Sequence, residues 1–197
     1  MSPKIDRLLT TARVNLPGAV DAAIKNELFQ TLKDFFFQTN CWTETLTFTT
    51  VADQSDYVVV PTEGVIIRLE GVTDPDGRPV GAAMPALGTV RLLAPYTPGK
   101  QLTATLVLTV SEPVTSQGLP VFPDWVLDKY ESTILAGILF RMMGQPAKPY
   151  SSERMAIFYG RTFASGVSVA ISEVARQNAN HVQAWRFPQS FATRRYR

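Results

Sequence analysis

Residues 35–50 read Phe35-Phe36-Phe37-Gln38-Thr39-Asn40-Cys41-Trp42-Thr43-Glu44-Thr45-Leu46-Thr47-Phe48-Thr49-Thr50, and the hydrophobic period changes inside this stretch. Up to Asn40 the period is helical. Asp21 to Asn40 runs without Gly or Pro, and Val20, Ile24, Leu28, Leu32 and Phe35 recur at steps of three or four, the spacing of one helical face. Phe29, Phe36 and Phe37 widen that face, so the helix is expected to pack on two sides. Asp21 and Lys25 stand four apart on its wet side and are expected to pair. From Trp42 the period is two: Thr43, Thr45, Thr47 and Thr49 alternate with Glu44, Leu46, Phe48 and Thr50. That is a half-buried strand of β-branched and aromatic residues.

The strand period persists to residue 110. Residues 57–60, 65–69, 90–93 and 102–110 read as further strands, with Asp74-Pro75-Asp76-Gly77 as a turn in which Pro presets one dihedral and Gly accepts positive φ. Short strands joined by such punctuation predict an antiparallel sandwich or barrel. Residues 112–123 carry three prolines and lead back to helix. Pro123-Asp124-Trp125 reads as a helix start, Leu127, Ile134, Ile138 and Met142 share a face, and Gly144-Gln145-Pro146 stops the element. Ser151-Ser152-Glu153 opens a last helix to about Asn178, with Met155, Phe158, Thr162, Val169 and Ile171 expected to face inward. The predicted fold is therefore α+β: a helical bundle built from both ends of the chain (1–41 and 123–179), an inserted antiparallel β sandwich or barrel (42–122) and an extended C-terminal arm (180–197).

The chain has 197 residues, enough for one large domain or two small ones. Hydrophobic residues make up 45% and charged residues 18%, the latter below the usual figure of about 25%. This composition excludes a disordered chain and fits surface covered by partners. The net charge of +2 excludes a whole-molecule electrostatic nucleic-acid binder, yet it hides a division. Residues 42–122 carry a net −4 and residues 176–197 a net +5. The single cysteine, Cys41, excludes an internal disulfide framework, and no Cys/His cluster suits zinc. The amino terminus lacks the apolar run of a secretion signal, and the apolar stretch 134–140 is far shorter than the ~20 residues of a membrane span. The expectation is a soluble chain, matured in a reducing compartment and needing no cofactor, metal or membrane.

No catalytic constellation emerges. His181 has no carboxylate or thiol near it in sequence, and Cys41 has no adjacent base to activate it. Residues 94–101 approach a phosphate-binding loop, but Gln101 stands where Ser or Thr must hold magnesium and a strand follows instead of a helix. The turn at Asp74 resembles a calcium loop with Pro85 in place of the closing Glu. A glycoside hydrolase would need a facing carboxylate pair, for which Glu44, Asp53, Asp56, Glu63 and Glu70 are the candidates. Carboxylates spread along strand edges read more simply as a solvated face.

The C-terminal arm is the most distinctive segment. Residues 181–197 contain no acid, four arginines (Arg186, Arg194, Arg195, Arg197) and four aromatics (Trp185, Phe187, Phe191, Tyr196). Arg, Trp and Tyr dominate interface anchors, whereas disordered tails are poor in aromatics. The arm is expected to dock on a protein surface lined with carboxylates. The alternative is a nucleic-acid-binding protein that uses the same arm for phosphate contacts and base stacking.

Several phrases carry a family resemblance. Residues 15–19 (Asn-Leu-Pro-Gly-Ala) leading to Glu27-Leu28-Phe29, Asp34-Phe35-Phe36 and Thr39-Asn40-Cys41-Trp42 form one set. Lys129-Tyr130-Glu131, Ala136-Gly137, Arg141-Met142-Met143 and residues 146–150 form the other. Together they resemble the two helical parts of head-to-tail adaptor (connector) proteins of tailed bacteriophages. The resemblance implies a non-enzymatic virion protein of the neck, synthesised in the host cytoplasm. It would assemble with itself into a ring, usually a dodecamer, between the portal protein and a downstream tail or nozzle protein. Double-stranded DNA would pass through the ring without sequence-specific binding. In such adaptors the C-terminal segment grips the portal, a role that here would fall to Trp185, Arg186, Phe187, Phe191, Arg194, Arg195, Tyr196 and Arg197.

Overall fold

A computed structural model describes residues 3–113 and 118–177. The helix α3 (Trp125–Met143) is the hub of its helical part. Val126, Leu127, Tyr130, Ile134, Ile138, Leu139 and Met142 are buried around its circumference, as expected of a helix covered on all sides. Three helices cover it: α1 (Pro3–Asn15), α2 (Asp21–Thr39) and α4 (Glu153–Gln177). In α1, Ile5, Leu8, Leu9 and Ala12 face the core, while Lys4 and Arg7 pair with Asp128 and Glu131 of α3.

The face read along α2 is buried at Ile24, Leu28, Leu32 and Phe35, with Phe29 and Phe36 beside it. Two of its expected members are corrected. Val20 is 69% exposed because it precedes the first helical turn, and Phe37 is 66% exposed because it lies opposite the core. Asp21 also takes a different partner: its two carboxylate oxygens receive Arg13 Nε and Nη2 at 2.7 Å each. Lys25 adds only a weaker attraction. The helix ends at Asn40 in the left-handed conformation (φ 51°), whose N–H reaches Phe36 O at 2.9 Å.

Between α2 and α3 lie two antiparallel sheets. The first orders β1 (Thr43–Thr49), β7 (Gln101–Thr109), β3 (Val65–Thr73) and β4 (Pro79–Val80) as β1-β7-β3-β4. The second orders β2 (Asp56–Val58), β6 (Thr89–Leu92) and β5 (Ala82–Ala86) as β2-β6-β5. The alternation that begins at Thr43 is realised directly. Glu44, Leu46 and Phe48 are half-buried opposite Leu106, Ala104 and Leu102 of β7, and the threonines between them face outward. Phe48 and Tyr57, from different sheets, stack with centroids 4.7 Å apart and so tie the two layers. The predicted turn closes the β3–β4 hairpin: Gly77 has φ +77°, its N–H reaches Asp74 O at 3.0 Å, and Asp74 N–H reaches Arg78 O at 2.9 Å.

Sheet and bundle share one core. Phe36 of α2 meets Trp42 at 5.2 Å between ring centroids, and buried residues of both regions form one continuous cluster. The architecture is α+β, with helices at both ends of the described residues and the β region between them.

Candidate assembly surface

The eight arm residues on which the sequence reading placed docking, Trp185 to Arg197, lie outside the described residues, as does His181. The surface that the structure does describe is the helix that leads to them.

α4 follows a turn in which Ser152 N–H bonds Met143 O at 3.0 Å and Ala156 N–H bonds Ser152 O at 2.8 Å. Its inward face corrects the sequence expectation. Met155, Phe158, Thr162, Val169 and Ile171 all point to solvent, with Phe158 56% and Val169 54% exposed. Ala156, Val167 and Ala170 are buried instead, with Gly160, Phe163 and Gly166 beside them. The reason is the approach of α4 to α3. A methyl placed on Gly160 would stand 3.0 Å from Phe140 Cδ2, and one on Gly166 would collide with the Thr133 side chain. Only small residues fit at those two contacts; Val167 is buried and Phe163 half-buried on the same face, while Met155, Phe158, Val169 and Ile171 are turned outward.

The outward face has two seams. Met155, Phe158, Thr162, Ser165, Val169 and Ser172 recur at steps of three and four, and so do Ile157, Arg161, Ala164, Ser168, Ile171 and Ala175. This is the spacing with which one helix receives another. From Met155 to Ser172 the sole charged residue is Arg161. The hydroxyls are turned back on the helix: Thr162 Oγ1 donates to Phe158 O at 3.1 Å, Ser168 Oγ to Ala164 O at 3.0 Å and Ser172 Oγ to Ser168 O at 2.9 Å. With their donors used in this way, these residues present mainly carbon to solvent. An extended face whose one charge between residues 155 and 172 is Arg161, with large apolar residues in both seams, is the kind of surface that marks protein association. The sequence carries a partial signal in the small residues Ala156, Gly160, Gly166 and Ala170, shared by the exposed Ala164, Ser165 and Ser168.

The carboxylates considered for catalysis are distributed over separate strands and loops. Glu44 accepts from Thr62 N–H at 3.1 Å and Thr62 Oγ1 at 2.6 Å. Asp56 receives Arg91 Nε and Nη2 at 2.7 and 2.8 Å, and that guanidinium holds its carboxyl below the ordinary range. Asp53 lines an open cleft of about 330 Å³ with Gln54, Ser55 and Tyr96. Glu63 and Glu70 are exposed. Burial pushes the Cys41 thiol up, opposed by the Thr39 hydroxyl 3.1 Å from its sulfur. Among the described residues no group of His, Cys, Asp and Glu is assembled to hold a metal ion, and no helix is long and apolar enough to cross a membrane.

No family model matches this chain, and no curated protein matches it. Among solved structures the chain is similar to one described as "Neck of empty GTA particle computed with C6 symmetry", at 16% identity and a TM-score of 0.26, over 81% of this chain and 91% of that one.

Proposed function

We propose that this chain is a structural subunit of a virion neck that forms a ring between portal and tail, extends the DNA channel and offers the tail its attachment platform. The observation that carries the reading is the outward face of α4, which has two seams of mostly apolar and small residues, the first uncharged from Met155 to Ser172 and the second carrying Arg161 as its one charge. A subunit inside a ring needs two neighbours, and two seams on one helix provide for both. The phrases that resemble phage adaptors add support. Phe35, Phe36, Trp42, Tyr130, Met142 and Tyr150 belong to them, and all are buried in the core that bundle and sheet share.

In this reading the bundle packs side by side, and residues 180–197 dock on the portal. Trp185, Phe187, Phe191 and Tyr196 enter apolar crevices, while Arg186, Arg194, Arg195 and Arg197 pair with acidic rims. The β region, 42–122, faces the next tail protein or a neighbouring subunit. Its net −4 disfavours adhesion to passing DNA.

The test is binding to the portal protein of the same genome, full-length chain against a deletion of residues 181–197, read by particle mass and electron microscopy. A ring on the portal that vanishes with the deletion supports both the adaptor role and the arm. A ring that persists moves the anchor to the bundle. Absence of binding by either form refutes the adaptor reading. Tight nucleic-acid binding that weakens steeply with salt would then favour the rival use of the basic aromatic arm.

A further inference from the structure

Tyr130 is where α3 bends: its backbone leaves the helical region at φ −124°, ψ 19°. Neither Pro nor Gly lies between Trp125 and Tyr130, so the usual sequence causes of a kink are absent. The bend instead coincides with a side chain wedged between elements. The Tyr130 ring lies 5.1 Å from Phe35 of α2 and 6.4 Å from Trp125 between centroids. Its hydroxyl reaches α4, donating to Glu173 Oε2 at 2.6 Å. Lys129 Nζ approaches the same oxygen at 2.7 Å and stands 5.3 Å from the centre of the Tyr130 ring. Helix α1 braces the bend on both sides, through Lys4 to Asp128 at 2.6 Å and through Arg7 Nε to Glu131 at 3.1 Å.

Glu173 lies one turn before the end of α4 at Gln177. Among the side chains described, Ala170 is the last fully buried one of that helix; Glu173 and Val174 are half-buried, and Ile171, Ser172, Ala175 and Arg176 are exposed. Past Ala170 the helix therefore has few apolar contacts to hold it, and such helix ends fray at low cost. The shared carboxylate oxygen supplies what packing does not. Tyr130 and Lys129 reach it from a base fixed by α1 and α2, so the bond is directed as well as favourable.

We propose that Glu173, held by Tyr130 and Lys129, is a positioning latch that fixes the last turn of α4, the element to which residues 178–197 are joined. Its consequence for docking rests on the adaptor reading given above; the latch itself does not. Releasing it lets the end of α4 unwind and, on that reading, slows association with a portal site.

The test uses the full chain and amide hydrogen exchange. Tyr130→Phe keeps the ring packing and removes the O–H. Glu173→Gln keeps an acceptor for Tyr130 and removes the ion pair, and Glu173→Ala removes both. Amides of residues 172–177 are expected to exchange about tenfold faster in Glu173→Ala, and less so in the two conservative variants, with residues 156–168 unchanged. Equal exchange at 172–177 in all four proteins overturns the latch. Portal association is measured on the same proteins. A slower on-rate for Glu173→Ala with an unchanged off-rate supports the positioning role, and an unaltered on-rate despite a loosened helix end overturns it. If the parent protein itself does not bind portal, the adaptor reading fails, while the exchange data still decide the latch.

Discussion

Gly137 of α3 faces the Cγ2 methyl of Thr31 on α2 so closely that a methyl group on Gly137 would collide with it, and would also stand 2.9 Å from Phe163 Cδ2 of α4. Three helices meet at this one missing side chain. Gly137→Ala gains about 1 kcal/mol of helix propensity but must push apart α2 and α4 in a packed core, at a cost of ~1–3 kcal/mol. We expect a lower melting temperature than the parent. A melting temperature equal to or above it would mean that the bundle is looser than these contacts require.

The outward seams of α4 predict a separation between folding and assembly. Phe158→Glu with Val169→Glu places two charges on exposed positions, where substitutions alter stability by less than about 0.5 kcal/mol each. Thermal unfolding should stay close to that of the parent. Self-association, followed by sedimentation velocity over a concentration series or by ring formation on the portal, should be lost. Normal assembly of the double variant would show that α4 is not the contact between copies.

These two cases also explain what could be read from the sequence. The change of period at Trp42 was legible because Leu46 and Phe48 alternate with threonines that stay outside, and one sheet face suffices to place them. α3 was legible because Leu127, Ile134, Ile138 and Met142 share a face and Gly144-Gln145-Pro146 closes it, although its burial extends well beyond that face. The inward side of α4 was not. Hydrophobic size pointed to Phe158 and Val169, but close helix approach at Gly137, Gly160 and Gly166 selects for small residues, a constraint that exists only once the helices are together. β4 and β5 were missed for a related reason. Pro79, Ala82, Ala83 and Pro85 have little strand preference, and pairing with β3 and β6 holds them, with a register break between Ala83 and Ala86. The arm residues of the candidate site lie outside the described residues, so the sequence remains their only source.

Acid should weaken the fold, and alkali should act at groups that include Tyr130. The carboxyls of Asp21, Asp56 and Glu173 are held below their ordinary values by Arg13, Arg91 and Lys129 respectively. Carboxylates of this kind contribute stability above the unfolded-state value of about 4, and the contribution is lost as pH falls through the folded value. The melting temperature is expected to be flat from about pH 6 to 8 and to drop below about pH 4. Tyr130 behaves oppositely. Burial, aided by Glu173, pushes its phenol up to about 12, so its contribution is complete below about pH 10 and disappears as pH rises toward 12. Burial beside Asp74 raises the Tyr96 phenol as well, so phenolate absorbance should show a late-titrating component that Tyr130→Phe reduces without abolishing. An unchanged titration curve would contradict the assignment.

The same substitution in α2 should have opposite effects at two positions eight residues apart. Thr31 is fully buried and its Oγ1 has no hydrogen-bond partner. An orphaned buried hydroxyl costs about 1–3 kcal/mol. Thr31→Val keeps the branched shape and the Cγ2 methyl against Gly137 while removing that cost, so stability should rise by about 1 kcal/mol, which for a chain of this size is about 2–4 °C. Thr39 is also buried, but its Oγ1 donates to Phe35 O at 2.8 Å and accepts from Cys41 N–H at 3.4 Å. Thr39→Val abandons both bonds at the helix end that turns the chain into β1, and stability should fall by about 1 kcal/mol or more. Calorimetry on the two single variants decides the matter through the sign of each change. If Thr31→Val destabilises as Thr39→Val does, the Thr31 hydroxyl has a bonding partner, and the close packing of α2 on Gly137 encloses a polar group instead of a purely apolar contact.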